Sequence, residues 1–119
     1  MHASIVQRLF FPHIVDDEFV SAIVAHVVES VRAAALDGNV FKLRRRKAQA
    51  IIEKAACKAV AEMWTAAYGK TFTPNRNWPD AKAILLDNPR RCVVELWIGH
   101  EYHDNDTPDP IEIFFDDLP

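Results

Sequence analysis

The chain has 119 residues, of which 50% are hydrophobic and 26% charged, with three glycines and two cysteines. This length fits a single domain over 1–119, and such a domain buries roughly two-thirds of the surface of its unfolded chain. The composition excludes a largely disordered chain or a repeat array. The net charge of −3 hides a split, because residues 1–78 carry 11 Lys and Arg against 7 Asp and Glu, whereas residues 79–119 carry 3 against 10. This asymmetry predicts faces of opposite potential, which bears on partner choice.

The N-terminal segment does not have the pattern of a secretory signal. Arg8 interrupts its apolar stretch, and Asp16 and Asp17 follow soon afterwards. No uninterrupted apolar run has the roughly 18–20 residues that cross a bilayer. Cys57 and Cys92 form no CxxC pair, which favours reduced and buried thiols. We therefore expect a cytoplasmic protein that has no membrane partner.

Two segments have the apolar spacing of amphipathic helices. The first covers 16–37, begins at an aspartate cap and ends before Gly38. The second covers about 43–68, and the alanines near its middle would allow close approach of a neighbouring helix. Because the linker between them is short, the pair is expected to form an antiparallel helical hairpin.

Two later segments alternate apolar and polar residues, which is typical of strands. They cover 92–98 and 111–115, with Ile111, Ile113 and Phe115 expected to point inward. Residues 81–87 are ambiguous between strand and short helix. The helix is slightly favoured, because Pro79 suits a first helical position.

The predicted fold is therefore α+β. A helical hairpin (about 16–37 and 43–68) is expected to pack on a small antiparallel sheet of two or three strands. Two strands alone would be marginal, so the helices must cover one face or a partner must add to the sheet.

The connection between the last two strands is long and acidic. Residues 99–110 read GHEYHDNDTPDP, whereas strand-to-strand connections usually have 2–5 residues. A carboxylate surface of this kind is suited to a partner's arginines and lysines. The acidic residues predicted to bind a partner come from this loop and from the C-terminal tail: Glu101, Asp104, Asp106, Asp109, Asp116 and Asp117.

The same loop is a weak candidate for a metal site. His100 and His103 are three apart at a strand end, where their side chains diverge. A calcium loop would need glycine where Asp109 stands and glutamate where Phe115 stands. No metal ligands and no cofactor are therefore predicted, although a metal-dependent enzyme that uses this loop remains an alternative.

No nucleophile motif or phosphate-binding glycine loop accompanies these histidines. The sequence therefore leans away from an enzyme, and no catalytic residue is predicted.

A basic cluster lies at the start of the second predicted helix, where cations oppose the helix dipole. It consists of Arg44, Arg45, Arg46 and Lys47. Three readings stay open: a solvated helix face, contact with nucleic-acid phosphates, or pairing with the acidic segment within the chain or across a dimer.

Two tryptophans lie outside the helical stripes. Trp78 falls in a predicted loop, and Trp97 falls on the outer face of a predicted strand. Each could close the core or anchor an interface, since tryptophan is enriched at binding hot spots.

Taken together, these features favour a small intracellular binding module without enzymatic activity. An inhibitor or an immunity or anti-defence protein, of phage or mobile-element type, is the class we expect. Its acidic loop and tail would meet a basic protein partner. The alternatives are a nucleic-acid-associated accessory protein, which would use the basic cluster, and the metal-dependent enzyme. The chain is also a candidate for self-association as a homodimer.

Overall fold

The helices of the computed structural model form the predicted antiparallel hairpin. The structure describes residues 17–68, 80–96 and 109–119. Helix α1 spans Asp17–Asp37, a single 3-10 turn spans Val40–Lys42, and helix α2 spans Arg45–Tyr68. The predicted bounds of 16–37 and about 43–68 are thus close to those observed.

Three strands form one antiparallel sheet beside the hairpin. Strand β1 spans Ala81–Leu86, β2 spans Arg91–Leu96 and β3 spans Asp109–Phe114, in the order β1-β2-β3. The predicted α+β fold is therefore confirmed, with three strands rather than two. The prediction for 92–98 extends past the end of β2 into residues that the structure does not describe.

The turn between the helices explains why α1 ends where it does. The N–H of Gly38 donates to the carbonyl of Ala34 at 2.8 Å, and Asn39 has a φ of 51°. The residue with the left-handed backbone conformation is therefore Asn39, whereas the sequence predicted that Gly38 would end the helix. Gly38 serves close packing instead, because a Cβ there would lie 3.0 Å from the carbonyl oxygen of Ala34.

The core lies between the hairpin and one face of the sheet. Each helix buries one stripe at helical spacing, and each strand buries alternate residues. Trp64 and Phe115 are the largest fully buried side chains, and the ring of Trp64 packs edge-on against Phe19 with 5.3 Å between centroids. The inward side chains expected at Ile111, Ile113 and Phe115 are all buried.

Residues 81–86 form a strand, so the helix slightly favoured for 81–87 is wrong. The segment is rich in alanine and leucine, which are good helix formers, but its tertiary contacts override that propensity. Ala81 and Ala83 are buried, and their small side chains let α2 approach β1 closely. All six residues of β1 pair with β2, from Ala81 opposite Leu96 to Leu86 opposite Arg91.

The outer edge of β1 is covered by polar side chains of α2. The carboxylate of Glu53 accepts the N–H of Ala83 at 2.8 Å, and the amide oxygen of Gln49 accepts the N–H of Leu85 at 3.2 Å. Arg45 donates to the carbonyl of Leu85 at 3.0 Å. Residues 45, 49 and 53 recur every four positions, so they lie on one face of α2. We call these three side chains the edge ladder.

We expect Glu53→Leu to lower the free energy of unfolding by about 1–3 kcal/mol, because it leaves the part-buried N–H of Ala83 without an acceptor. Glu53→Gln keeps a side-chain oxygen at the same place and is the matched control. Urea unfolding of both variants checks this expectation. Equal losses for the two would show that the charge of Glu53 matters and the hydrogen bond does not.

Helix α1 is long and apolar enough, by length and composition alone, to cross a membrane. Within Glu18–Asp37, an 18-residue window has a mean hydropathy of 1.6. A core helix of a globular protein passes the same test, and α1 buries Ile23, Val27 and Val31 in the core. On its polar side, His26 lies 3.1 Å from Glu62 of α2, which links the two helices.

Candidate functional site

Most of the predicted acidic loop lies outside the described residues, and so do both proposed aromatic anchors. Those residues are Glu101, Asp104, Asp106, Trp78 and Trp97. The structure does fix where the loop is attached, because β2 ends at Leu96 and β3 begins at Asp109, which pair with each other. Both ends of the acidic connection therefore leave the same end of the sheet.

The basic cluster lies at the other end of the sheet. Arg45 at the start of α2 reaches Leu85 and Asp87, at the end of β1. From there to the level of Leu96 the sheet extends five residues along each strand, or about 17 Å at roughly 3.3–3.4 Å per residue. The fold thus separates the attachment points of the acidic loop from the basic cluster.

All four side chains of the basic cluster are exposed, and one of them, Arg45, is engaged in contacts within the chain. Arg45 lies 3.5 Å from the carboxylate of Asp87. The side chains of Arg44, Arg46 and Lys47 make no ion pair with any residue in the described ranges. The carbonyl of Arg44 accepts the N–H of Ala48, so the main chain of Arg44 starts the hydrogen bonding of the helix. The side chain of Arg44 is exposed.

A half-open cleft of about 310 Å³ adjoins this cluster. Three arginines line it together with Asp87, between the 3-10 turn, the start of α2 and the β1–β2 turn: Arg45, Arg90 and Arg91. Arg91 also donates to the carbonyls of Asp87 and Pro89 and pairs with Glu112 at 2.9 Å. The charged part of the lining is net positive, but Arg45 pairs with Asp87 and Arg91 with Glu112, so Arg90 is the lining arginine without a carboxylate partner among the described residues. Apolar side chains form the rest of the lining, and contacts within the chain hold the three guanidinium groups in place.

The acidic tail is tied to the same end of the molecule. Arg32 of α1 donates to both carboxylate oxygens of Asp117, at 3.0 and 2.7 Å, and also to the carbonyl of Phe114. The charge of Asp117 is thus already matched within the chain. Asp116 is exposed and makes no ion pair with a described residue, so it is the tail carboxylate that is open to a partner.

A second arginine holds the tail from the other side. Arg90 lies over the ring of Phe41, 4.2 Å from its centroid, and donates to the carbonyl of Leu118 at 2.8 Å. Phe41 in turn packs edge-on against Phe115 at 5.5 Å. The tail is therefore a fixed part of the fold.

The hydrogen bonds from Arg32 lower the pKa of Asp117 below its usual value. Because the folded-state pKa is the lower one, this pair contributes stability at pH values above the unfolded pKa of about 3.9, and the contribution is lost as the pH falls through the folded pKa. We expect Arg32→Met to return the pKa of Asp117 towards its usual value, as measured by NMR titration of its carboxyl carbon. Arg46→Met removes an exposed arginine without an ion pair in the described chain and should leave that pKa unchanged.

The two cysteine thiols are free and poorly ionised. Burial raises the pKa of Cys92 to about 12. Burial, followed by the charges of Asp80 and Glu53, raises the pKa of Cys57 to about 11. Thiols of this kind are weak nucleophiles at neutral pH, as expected for structural cysteines.

No cluster of three or more possible metal ligands occurs within residues 17–68, 80–96 and 109–119. His100 and His103, which carried the alternative of a metal-dependent enzyme, fall outside these ranges.

Sequence reasoning missed the residues that hold the tail and the sheet edge. Arg32 looked like an ordinary residue on the polar side of α1, yet it binds Asp117, 85 residues away. The spacing of Arg45, Gln49 and Glu53 was visible as a polar row on α2. Its role in binding the edge of β1 follows from the position of that strand, which the sequence did not predict.

No protein-family model, curated protein or solved structure matches this chain.

Proposed function

We propose that this protein is a small cytoplasmic binding module without enzymatic activity, of the inhibitor or immunity type found in phages and mobile elements. Its acidic loop over 99–110 and the exposed carboxylate of Asp116 would meet a basic surface on another protein. The observation that supports this proposal is the separation of charge along the sheet. The loop is attached at the end of the sheet opposite the basic cluster, so its attachment points lie away from the chain's own cluster of arginines.

In mechanism, the carboxylates of Glu101, Asp104, Asp106 and Asp109 would attract the partner over a distance and then pair with its arginines and lysines. Association steered in this way slows as salt screens the charges. The tail contributes mainly through Asp116, because Asp117 is bound by Arg32.

The experiment is affinity capture from the native host with matched baits. One bait is the wild-type protein, and the second carries Asp104→Lys, Asp106→Lys and Asp109→Lys. The control bait carries Glu18→Lys, Glu29→Lys and Asp37→Lys, which make the same charge change at exposed positions of α1.

A protein that the wild type and the α1 control retain, and the loop variant loses, supports the proposal. Its association rate with purified wild type should also fall as salt is raised. A partner that all three baits retain equally contradicts the role of the loop.

The arginine-lined cleft supports a second candidate, a nucleic-acid-associated protein. Three arginines line the cleft, and Arg44, Arg46 and Lys47, which adjoin the lining residue Arg45 in sequence, have exposed side chains. Phosphates are the natural counterpart of such a surface.

Titration against duplex and single-stranded nucleic acid at about 50 and 200 mM salt tests this candidate, because each phosphate contact steepens the salt dependence. The variant with Arg44→Glu, Arg46→Glu and Lys47→Glu should lose binding and most of that slope. The control changes Lys54, Lys58 and Lys82 to glutamate, with the same net charge. Absence of binding at the lower salt concentration removes this candidate.

A further inference from the structure

The outer edge of β3 differs from the outer edge of β1, which the edge ladder covers. The N–H of Phe115 donates to the carbonyl of Arg90 on the β2 side. The odd-numbered residues of β3 therefore direct their main-chain groups towards β2, and the even-numbered ones direct theirs away from the sheet. Arg32 reaches the outward carbonyl of Phe114, which agrees with this alternation.

Three outward groups on this edge have no partner among the described residues: the N–H and the carbonyl of Glu112, and the N–H of Phe114. Pro110 has an outward carbonyl but no N–H. The carbonyl of Phe114 is already bound by Arg32. The side chains of Pro110, Glu112 and Phe114 are all exposed, and the main-chain groups of Glu112 and the N–H of Phe114 are available to a partner.

We infer that this edge pairs with the β3 edge of a second copy of the chain, antiparallel and with Glu112 opposite Glu112. In this register each Glu112 N–H donates to the Glu112 carbonyl of the other copy. Each Phe114 N–H donates to the opposite Pro110 carbonyl. Every outward donor on the edge then has an acceptor.

The position of Arg32 argues for a second copy over an unrelated strand. An ordinary strand in this register would direct an N–H at the carbonyl of Phe114, where the guanidinium of Arg32 already lies. The second copy presents Pro110 at that place, and proline has no N–H. In this two-fold arrangement, Pro110 of each copy, which has no N–H to donate, therefore lies opposite the Phe114 carbonyl of the other copy, which Arg32 already occupies.

The side chains on the outer face fit the same register. Phe114 is 43% exposed and would lie opposite Pro110 of the other copy, which gives an apolar contact on each side of the axis. The two Glu112 carboxylates would face each other, but each already pairs with its own Arg91 at 2.9 Å. The remaining repulsion weakens the dimer, so loss of the Glu112 charge should strengthen it.

Sedimentation velocity of the wild-type protein over roughly 10 µM to 1 mM, a range suited to a small interface, tests the inference. Glu112→Pro removes the outward N–H without touching the β2–β3 pairing, because proline is tolerated on an edge. Glu112→Ala is the matched control, since it removes the same side chain and keeps the N–H. We expect the wild type to dimerise, Glu112→Ala to dimerise at least as tightly, and Glu112→Pro to stay monomeric.

Amide hydrogen exchange on the wild-type protein tests the inference without any substitution. The N–H groups of Glu112 and Phe114 should become more protected as the concentration rises through the dimerisation range. A wild type that is monomeric throughout the range overturns the inference. So does a dimer in which these two amides gain no protection, or one that Glu112→Pro leaves intact.

Discussion

Trp64→Ala is expected to lower the free energy of unfolding by about 3–5 kcal/mol. Trp64 is fully buried near the end of α2, and its ring packs edge-on against Phe19 in the first turns of α1. The substitution removes a large apolar surface and leaves a cavity that the helices cannot fill without moving. A loss of this size is a large part of the roughly 5–15 kcal/mol that stabilises a typical domain.

Urea unfolding followed by circular dichroism measures this loss. Trp64→Phe keeps an aromatic ring against Phe19 and should cost clearly less than the alanine variant. Ile84→Ala, at a site that is 43% exposed, should change the stability by less than about 1 kcal/mol. A loss for Trp64→Ala as small as that for Ile84→Ala would mean that the open end of the hairpin contributes little to the fold.

The second large effect is expected at the opposite end of the molecule. Phe115→Ala should cost about 3–5 kcal/mol, because Phe115 is fully buried against Phe41 and supports the arginine contacts of the tail. Loss of its ring also removes the support for Phe41, on which Arg90 lies. We therefore expect the tail to become mobile in this variant.

The neighbouring residue supplies a matched control for this prediction. Phe114→Ala makes the same chemical change one position earlier, at a side chain that is 43% exposed, and should cost far less. Both variants are compared with the wild type by urea unfolding at low protein concentration. Backbone NMR relaxation of 116–119 should show faster motion for Phe115→Ala only, and equal mobility in the two variants would contradict the role given to Phe115.

The helical hairpin and the last two strands were predictable because their periodicity is long and regular. The stripe of α1 and the alternation at Ile111, Ile113 and Phe115 report burial directly, whatever the tertiary context. Strand β1 was not predictable in this way. Its alanines and leucines favour a helix, and it is a strand because β2 pairs along it and α2 binds its edge.

The candidate site residues also differ in how far the sequence alone could identify them. The order of residues alone identified the basic run of Arg44, Arg45, Arg46 and Lys47, because consecutive cations are visible whatever the fold. It could not show that Asp116 and Asp117 differ, since that depends on Arg32, which is distant in sequence. Nor could it place the attachment points of the acidic loop and the basic cluster at opposite ends of the sheet, because that follows from the strand register.

The edge ladder has a consequence for assembly. Arg45, Gln49 and Glu53 occupy three outward main-chain groups of β1 that a further strand would need: the N–H of Ala83 and both groups of Leu85. Where copies join through β3, each copy therefore has one strand edge to offer instead of two. Two copies related by a two-fold axis use both of these edges, so the assembly closes and cannot grow into a filament. The polar face of helix α2 therefore stops the sheet from growing beyond β1, which limits the assembly to two copies.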